Sequence, residues 1–143
     1  ARWRGRSRLP FFCGDLTPRE LRVPTQRLNT KHPNGALSIA HLRALAPPSV
    51  FAGVASELTE IVGEPPIEAY KDENGVVLVW LLDLPGQVAT LWHSQLMLCE
   101  PDFESEAESR FVQTHGAGVF EVGMSVDESG GQAALVGYVS WES

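Results

Sequence analysis

A change of hydrophobic period across one pair of prolines constrains this chain more than any other feature. Before Pro47-Pro48, residues 37–46 alternate: Leu37, Ile39, His41, Arg43 and Leu45 share one face, and Ser38, Ala40, Leu42, Ala44 and Ala46 the other. That pattern predicts a strand, ended by the prolines. After the pair, Val50, Val54, Leu58, Ile61 and Val62 recur at helical spacing, with Ser56, Glu57 and Glu60 largely off the stripe. The spacing predicts a helix capped by Ser49, running to about Val62 and stopped by Gly63. A helix with one apolar stripe must bury it on a sheet, so more strands are required.

They follow at once. Residues 67–70 and 76–82 flank Lys71-Asp72-Glu73-Asn74-Gly75, a hairpin loop with Asn-Gly at its end. Pro85-Gly86 makes the next turn, and residues 88–99 supply a third strand, so 37–101 read βαβββ. Beyond it, residues 103–115 form an acidic helix with Phe111 and Val112 inward and Gly116 as the stop. Residues 118–126 and 133–141 form a second hairpin around Asp127-Glu128-Ser129-Gly130-Gly131, able to extend or cover the sheet. Residues 1–36 show no period, being broken by Pro10, Pro18, Pro24 and Pro33. Within them, Thr17-Pro18-Arg19-Glu20 has the pattern of a helix start, stopped at Pro24. His32-Pro33-Asn34-Gly35 reads as a tight turn. The expected organisation is a basic Pro-rich arm (1–36), a βαβββ module (37–101) and a helix-hairpin extension of the same domain (102–143).

Charge and composition exclude several classes of function. Residues 1–32 are net +6 and the remainder net −13, for −7 in all. Basic residues of the arm alternate with Pro, Leu and Phe, and the acidic remainder repels phosphate, so nucleic acid is not the expected partner. No apolar run approaches the roughly 18 residues of a membrane span, and no apolar segment follows the basic start, as a secretory signal requires. The first residue is not Met, which points to a fragment or a processed form. Cys13 and Cys99 belong to no CxxC pair; they read as buried thiols in a reducing, cytoplasmic compartment.

Leu9-Pro10-Phe11-Phe12, then His32-Pro33-Asn34-Gly35-Ala36, then Ile39-Ala40-His41 opening a βαβββ unit, resemble the glyoxalase-like domains of the vicinal-oxygen-chelate superfamily. The stretch Thr17-Pro18-Arg19-Glu20-Leu21-Arg22-Val23-Pro24 is similar to the version in fungal members. The resemblance spans residues 9–101 and, more weakly, 116–126. It implies an α+β fold of the glyoxalase/bleomycin-resistance kind, with a curved mixed sheet that pairs with a second module around a cavity. In metal-dependent members the first and last strands of each module hold one divalent ion, which binds two neighbouring substrate oxygens. This chain would be the second module, completed by a preceding one or by a homodimer.

On that resemblance His41 stands at the first-strand metal position, and a neutral imidazole suits Fe, Zn, Ni or Mn. The other reading of His41 is a half-buried ring bonded to a carbonyl. Counting back from Glu100-Pro101 to the last-strand ligand gives Met97, where a carboxylate is expected and a thioether is a poor substitute. A register shift brings Gln95 or His93 into that place. Arg43, on the face of His41, is suited to a substrate carboxylate, and Trp80 and Trp92 serve as cavity walls or as core. Glu68, Asp83 and Glu121 are available as a general base wherever they face a cavity. The expected function is a lyase, isomerase or dioxygenase module, or its remnant, acting on a small oxygen-rich substrate. The alternatives are a metal-free ligand-binding module and a structural half-domain. A lone module would leave an apolar sheet face bare, so a dimer is expected.

Overall fold

The computed structural model describes residues 16–18, 21, 36–72, 75–82, 94–128 and 131–138. Its elements are β1 (Ala36–Leu45), α1 (Pro48–Val62), β2 (Glu68–Asp72), β3 (Gly75–Leu82) and β4 (Ser94–Cys99), then α2 (Glu106–His115), β5 (Gly118–Glu128) and β6 (Gly131–Tyr138). One mixed sheet runs β2-β3-β4-β1-β5-β6. β1 and β4 pair in parallel, and every other neighbouring pair is antiparallel. Residues 36–99 therefore form the expected α+β βαβββ module, and the β5–β6 hairpin extends its sheet past β1.

The strand order explains why α1 lies where it does. β2 runs in the direction of β1 but three places away, so the connection must cross one face of the sheet. α1 makes that crossing and buries Phe51, Val54 and Leu58 on it. They meet Ala44, Ala46, Trp80, Leu96 and Leu98 in the larger core cluster. Full burial of a side chain such as Leu58 contributes about 1.5–3 kcal/mol.

Two details of α1 differ from the sequence expectation. The helix begins at Pro48, not after a Ser49 cap: Pro47 takes the cap position, and its carbonyl accepts the N–H groups of Val50 and Phe51, both at 3.0 Å. Proline is at ease in a first turn because its missing N–H would have no intrahelical partner. The buried stripe also runs through Phe51 and leaves Ile61 46% exposed. Gly63 does end the helix, at φ 85°, a left-handed conformation that costs glycine nothing.

The hairpin pairs further than expected, to Asp72↔Gly75. Of residues 88–99 the described part of the strand is 94–99; residues 83–93 lie outside the described residues. α2 starts at Glu106 behind a Ser105 cap, so Phe103 stays outside the helix and 66% exposed. On the sheet face opposite α1, Phe111 and Val112 of α2 pack with Leu45, Val77, Val79 and Cys99. The face expected to be bare is thus covered at one end by the chain's own extension. Cys99 is buried; Cys13, the Pro-Phe-Phe segment and the His-Pro-Asn-Gly turn lie outside the described residues. Of the helix start near Thr17, the described residues show Leu21 N–H donating to the Pro18 carbonyl at 3.1 Å.

Candidate functional site

The site is built on the face that carries α2. Alternation along β1 turns Leu42 and Ala44 toward α1, and His41, Arg43 and Leu45 the other way. On the adjoining β4, Gln95, Met97 and Cys99 stand beside them, paired His41↔Gln95, Arg43↔Met97 and Leu45↔Cys99. On the other side, β5 places Gly123 against His41 and Glu121 against Arg43.

Two features of β5 shape this face. Gly123 lies directly under the imidazole, so that a Cβ at this position would run into the ring of His41. The β1–β5 register also slips between Arg43↔Glu121 and Ala44↔Val119, leaving Phe120 as the extra residue. Such a bulge lets two consecutive residues face the same way. Phe120 joins the cluster beneath α2, and Glu121 reaches His41 and Arg43 from the same side.

A chain of polar contacts results. His41 Nε2 and Glu121 Oε1 are 2.7 Å apart. Arg43 Nη1 lies 3.6 Å from Glu121 Oε2, while its Nη2 donates to Glu108 Oε1 at 2.5 Å. Glu108 Oε2 accepts the backbone N–H of Asp102 at 2.9 Å. The Arg43 guanidinium sits over the ring of Phe120, 5.5 Å from its centroid. Burial works against the charge of Arg43, but the hydrogen bond and negative charge of Glu108, with Cys99 close by, outweigh it and raise the pKa. Two carboxylates against one guanidinium leave an excess negative charge, which a bound cation would balance.

Beside this chain lies a small open hollow of about 120 Å³, lined by Arg43, Tyr70, Val77, Met97, Cys99 and Glu100 among others. It can accept a few atoms of a ligand. Burying a larger one would need further walls.

Of the site residues read from the sequence, His41, Arg43 and Gln95 come together on one face, with Gln95 exposed. Trp80 does not join them. It is 1% exposed in the core under α1, on the opposite face, because strand parity sets it with Leu96 while Val77 and Val79 face α2. The core reading of Trp80 is the one its position matches, and its place as a cavity wall is withdrawn. Trp92 and His93 lie outside the described residues. Glu121 is one of three acidic residues to which the sequence assigns no neighbour, and Glu108 lies unremarked in the acidic helix expected over 103–115. The signal for Glu108 is its place three residues after Ser105 in a capped first turn; its link to Arg43 spans 65 positions and has none.

Among the described residues no three His, Cys, Asp or Glu side chains gather as a metal site. The donors that do meet, an imidazole and a carboxylate with a neutral amide on the next strand, nevertheless suit a borderline divalent ion in kind. The excess negative charge suits it too.

No family model matches the chain, and no curated protein matches it. Among solved structures it is similar to the crystal structure of methylmalonyl-CoA epimerase from Mycobacterium tuberculosis, at 15% identity and a TM-score of 0.47. The match covers 68% of this chain and 61% of that one, so this chain spans less than two thirds of that protein's length. The fold itself rests on element order and strand pairing: a βαβββ module carrying a helix and a hairpin. Among the described residues no helix is long and apolar enough to cross a membrane.

Proposed function

We propose that this chain is a glyoxalase-like module, of the kind met in fungal members, that binds a divalent metal at His41 and Glu121. In this reading it serves a lyase, isomerase or dioxygenase reaction on a small oxygen-rich substrate. The observation that supports it is the meeting of His41 and Glu121 from β1 and β5 in a cluster with one negative charge in excess. His41 supplies an imidazole whose height is set by Gly123, Glu121 a carboxylate, and Gln95 a neutral oxygen from β4. His93 is the alternative donor from that strand. Fe, Zn, Ni or Mn bound there would act as a Lewis acid and hold two neighbouring oxygens of the substrate. Glu121, within reach of the same ring, is placed to take or return a proton.

The test is metal content and calorimetric titration with Zn²⁺, Ni²⁺, Mn²⁺ and Fe²⁺ on the wild type, His41→Ala and Glu121→Gln. We expect one ion per chain in the wild type and its loss in both variants. Failure of all four ions to bind the wild type would sink the metal reading.

A second reading is favoured by one observation: His41 and Glu121 already satisfy each other, as do Arg43 and Glu108. A module closed on itself in this way can bind a small ligand in the hollow without metal. In either reading the module is completed by a second copy of the chain or by a preceding module.

A further inference from the structure

We infer that Arg43 and Glu108 are positioning residues for the His41–Glu121 pair, and that Arg43 does not anchor a substrate anion. The inference rests on reading His41 and Glu121 as the working pair of the site. Arg43 is held on three sides. Its Nη2 donates to Glu108 at 2.5 Å, its Nη1 faces Glu121 at 3.6 Å, and its plane sits over Phe120. A third anion would have to compete with two carboxylates already beside the guanidinium.

Glu108 is itself held by several contacts. It is 7% exposed in the first turn of α2. One carboxylate oxygen takes the Asp102 N–H, and its own backbone N–H donates to the Ser105 hydroxyl at 3.4 Å. The position of the Arg43 fork is therefore dictated from α2.

This division of the fork decides what Glu121 can do. An arginine free of other partners takes a carboxylate with both arms, engaging both of its oxygens. Here one arm belongs to Glu108. The other stands beyond hydrogen-bond length from Glu121 Oε2, acting through charge and leaving Oε1 to His41. With the Glu108 charge removed, the fork would close on Glu121 and draw it off the imidazole.

The experiment follows the ring nitrogens of His41 by NMR, identified by their loss in His41→Ala, in the wild type, Glu121→Gln and Glu108→Gln. In Glu108→Gln we expect the His41 resonances to move as far as in Glu121→Gln, while the amide resonances of Phe111 and Val112 keep α2 in place. Zn²⁺ affinity should fall by about tenfold to a hundredfold, the usual loss when a ligand's supporting partner is removed. Unmoved ring resonances in Glu108→Gln would overturn the inference. Should that variant not fold, Arg43→Lys, which keeps the charge but loses the fork, decides by the same resonances. An acetate titration that shifts the Arg43 side-chain N–H signals in the wild type would overturn the second half, since it would show an anion seat. A wild type that binds none of the four ions sinks the metal reading alone, because the ring resonances still report whether Glu108 governs His41.

Discussion

Gly123 sets the height at which the His41 ring lies on the sheet, and the geometry of the site follows from that absence of a side chain. An alanine there places its Cβ among the ring atoms of His41. The ring must lift, and its contact with Glu121, now 2.7 Å, must lengthen. Overpacking of this kind costs about 1–3 kcal/mol. We expect Gly123→Ala to lower the urea midpoint accordingly and to shift the His41 ring resonances. Gly53→Ala serves as the control, since that glycine is exposed on α1 with no neighbour within 4 Å. The control should gain about 0.5–1 kcal/mol from helix propensity and leave the ring unmoved. Trp80 shows the same dependence on single positions in another way. One step along β3 separates it from Val79, and that step decides between the core under α1 and the face that carries the site.

α1 and β5 contribute to the molecule by different physics. α1 is held by its buried stripe, so its contribution should scale with burial along the helix. Leu58→Ala should cost about 2–5 kcal/mol in chemical denaturation, the range for a fully buried leucine. Ile61→Ala, at a position nearly half exposed, should stay within about 0.5 kcal/mol. An equal loss at both sites would mean that α1 does not lie on the sheet as described. β5 contributes through its irregular register. The bulge at Phe120 brings a ring under Arg43 and a carboxylate to His41 from consecutive positions. A regular strand would have turned one of them to the opposite face.

Among the described residues the sheet is open, and its two edge strands differ. β2 carries Glu68, Lys71 and Asp72, charges that discourage pairing with another chain. β6 (Gly131–Tyr138) has no charged residue. If the module is completed by a second copy, β6 is the edge on which we expect it to pair. Sedimentation equilibrium should then give a dimer, and Leu135→Lys should shift it to monomer without loss of secondary structure. A wild type that stays monomeric across the concentration range would leave the preceding-module alternative in its place.

Most of the architecture was legible in local pattern. The period change at Pro47-Pro48, the helical stripe ended by Gly63 and the apolar strands around Asn74-Gly75 all act between near neighbours in the chain. The βαβββ order followed from them, as did the common face of His41 and Arg43 on β1, with Gln95 beside them on β4. The partners of those residues could not be read in the same way. Glu121 lies 80 positions from His41, and Glu108 lies 65 from Arg43. A bulge on β5 cancels the alternation that would have predicted where Glu121 points. Local periodicity follows from backbone geometry, which every residue shares. Pairing between distant side chains depends on strand order, register and the docking of α2, and these exist only once the chain has folded.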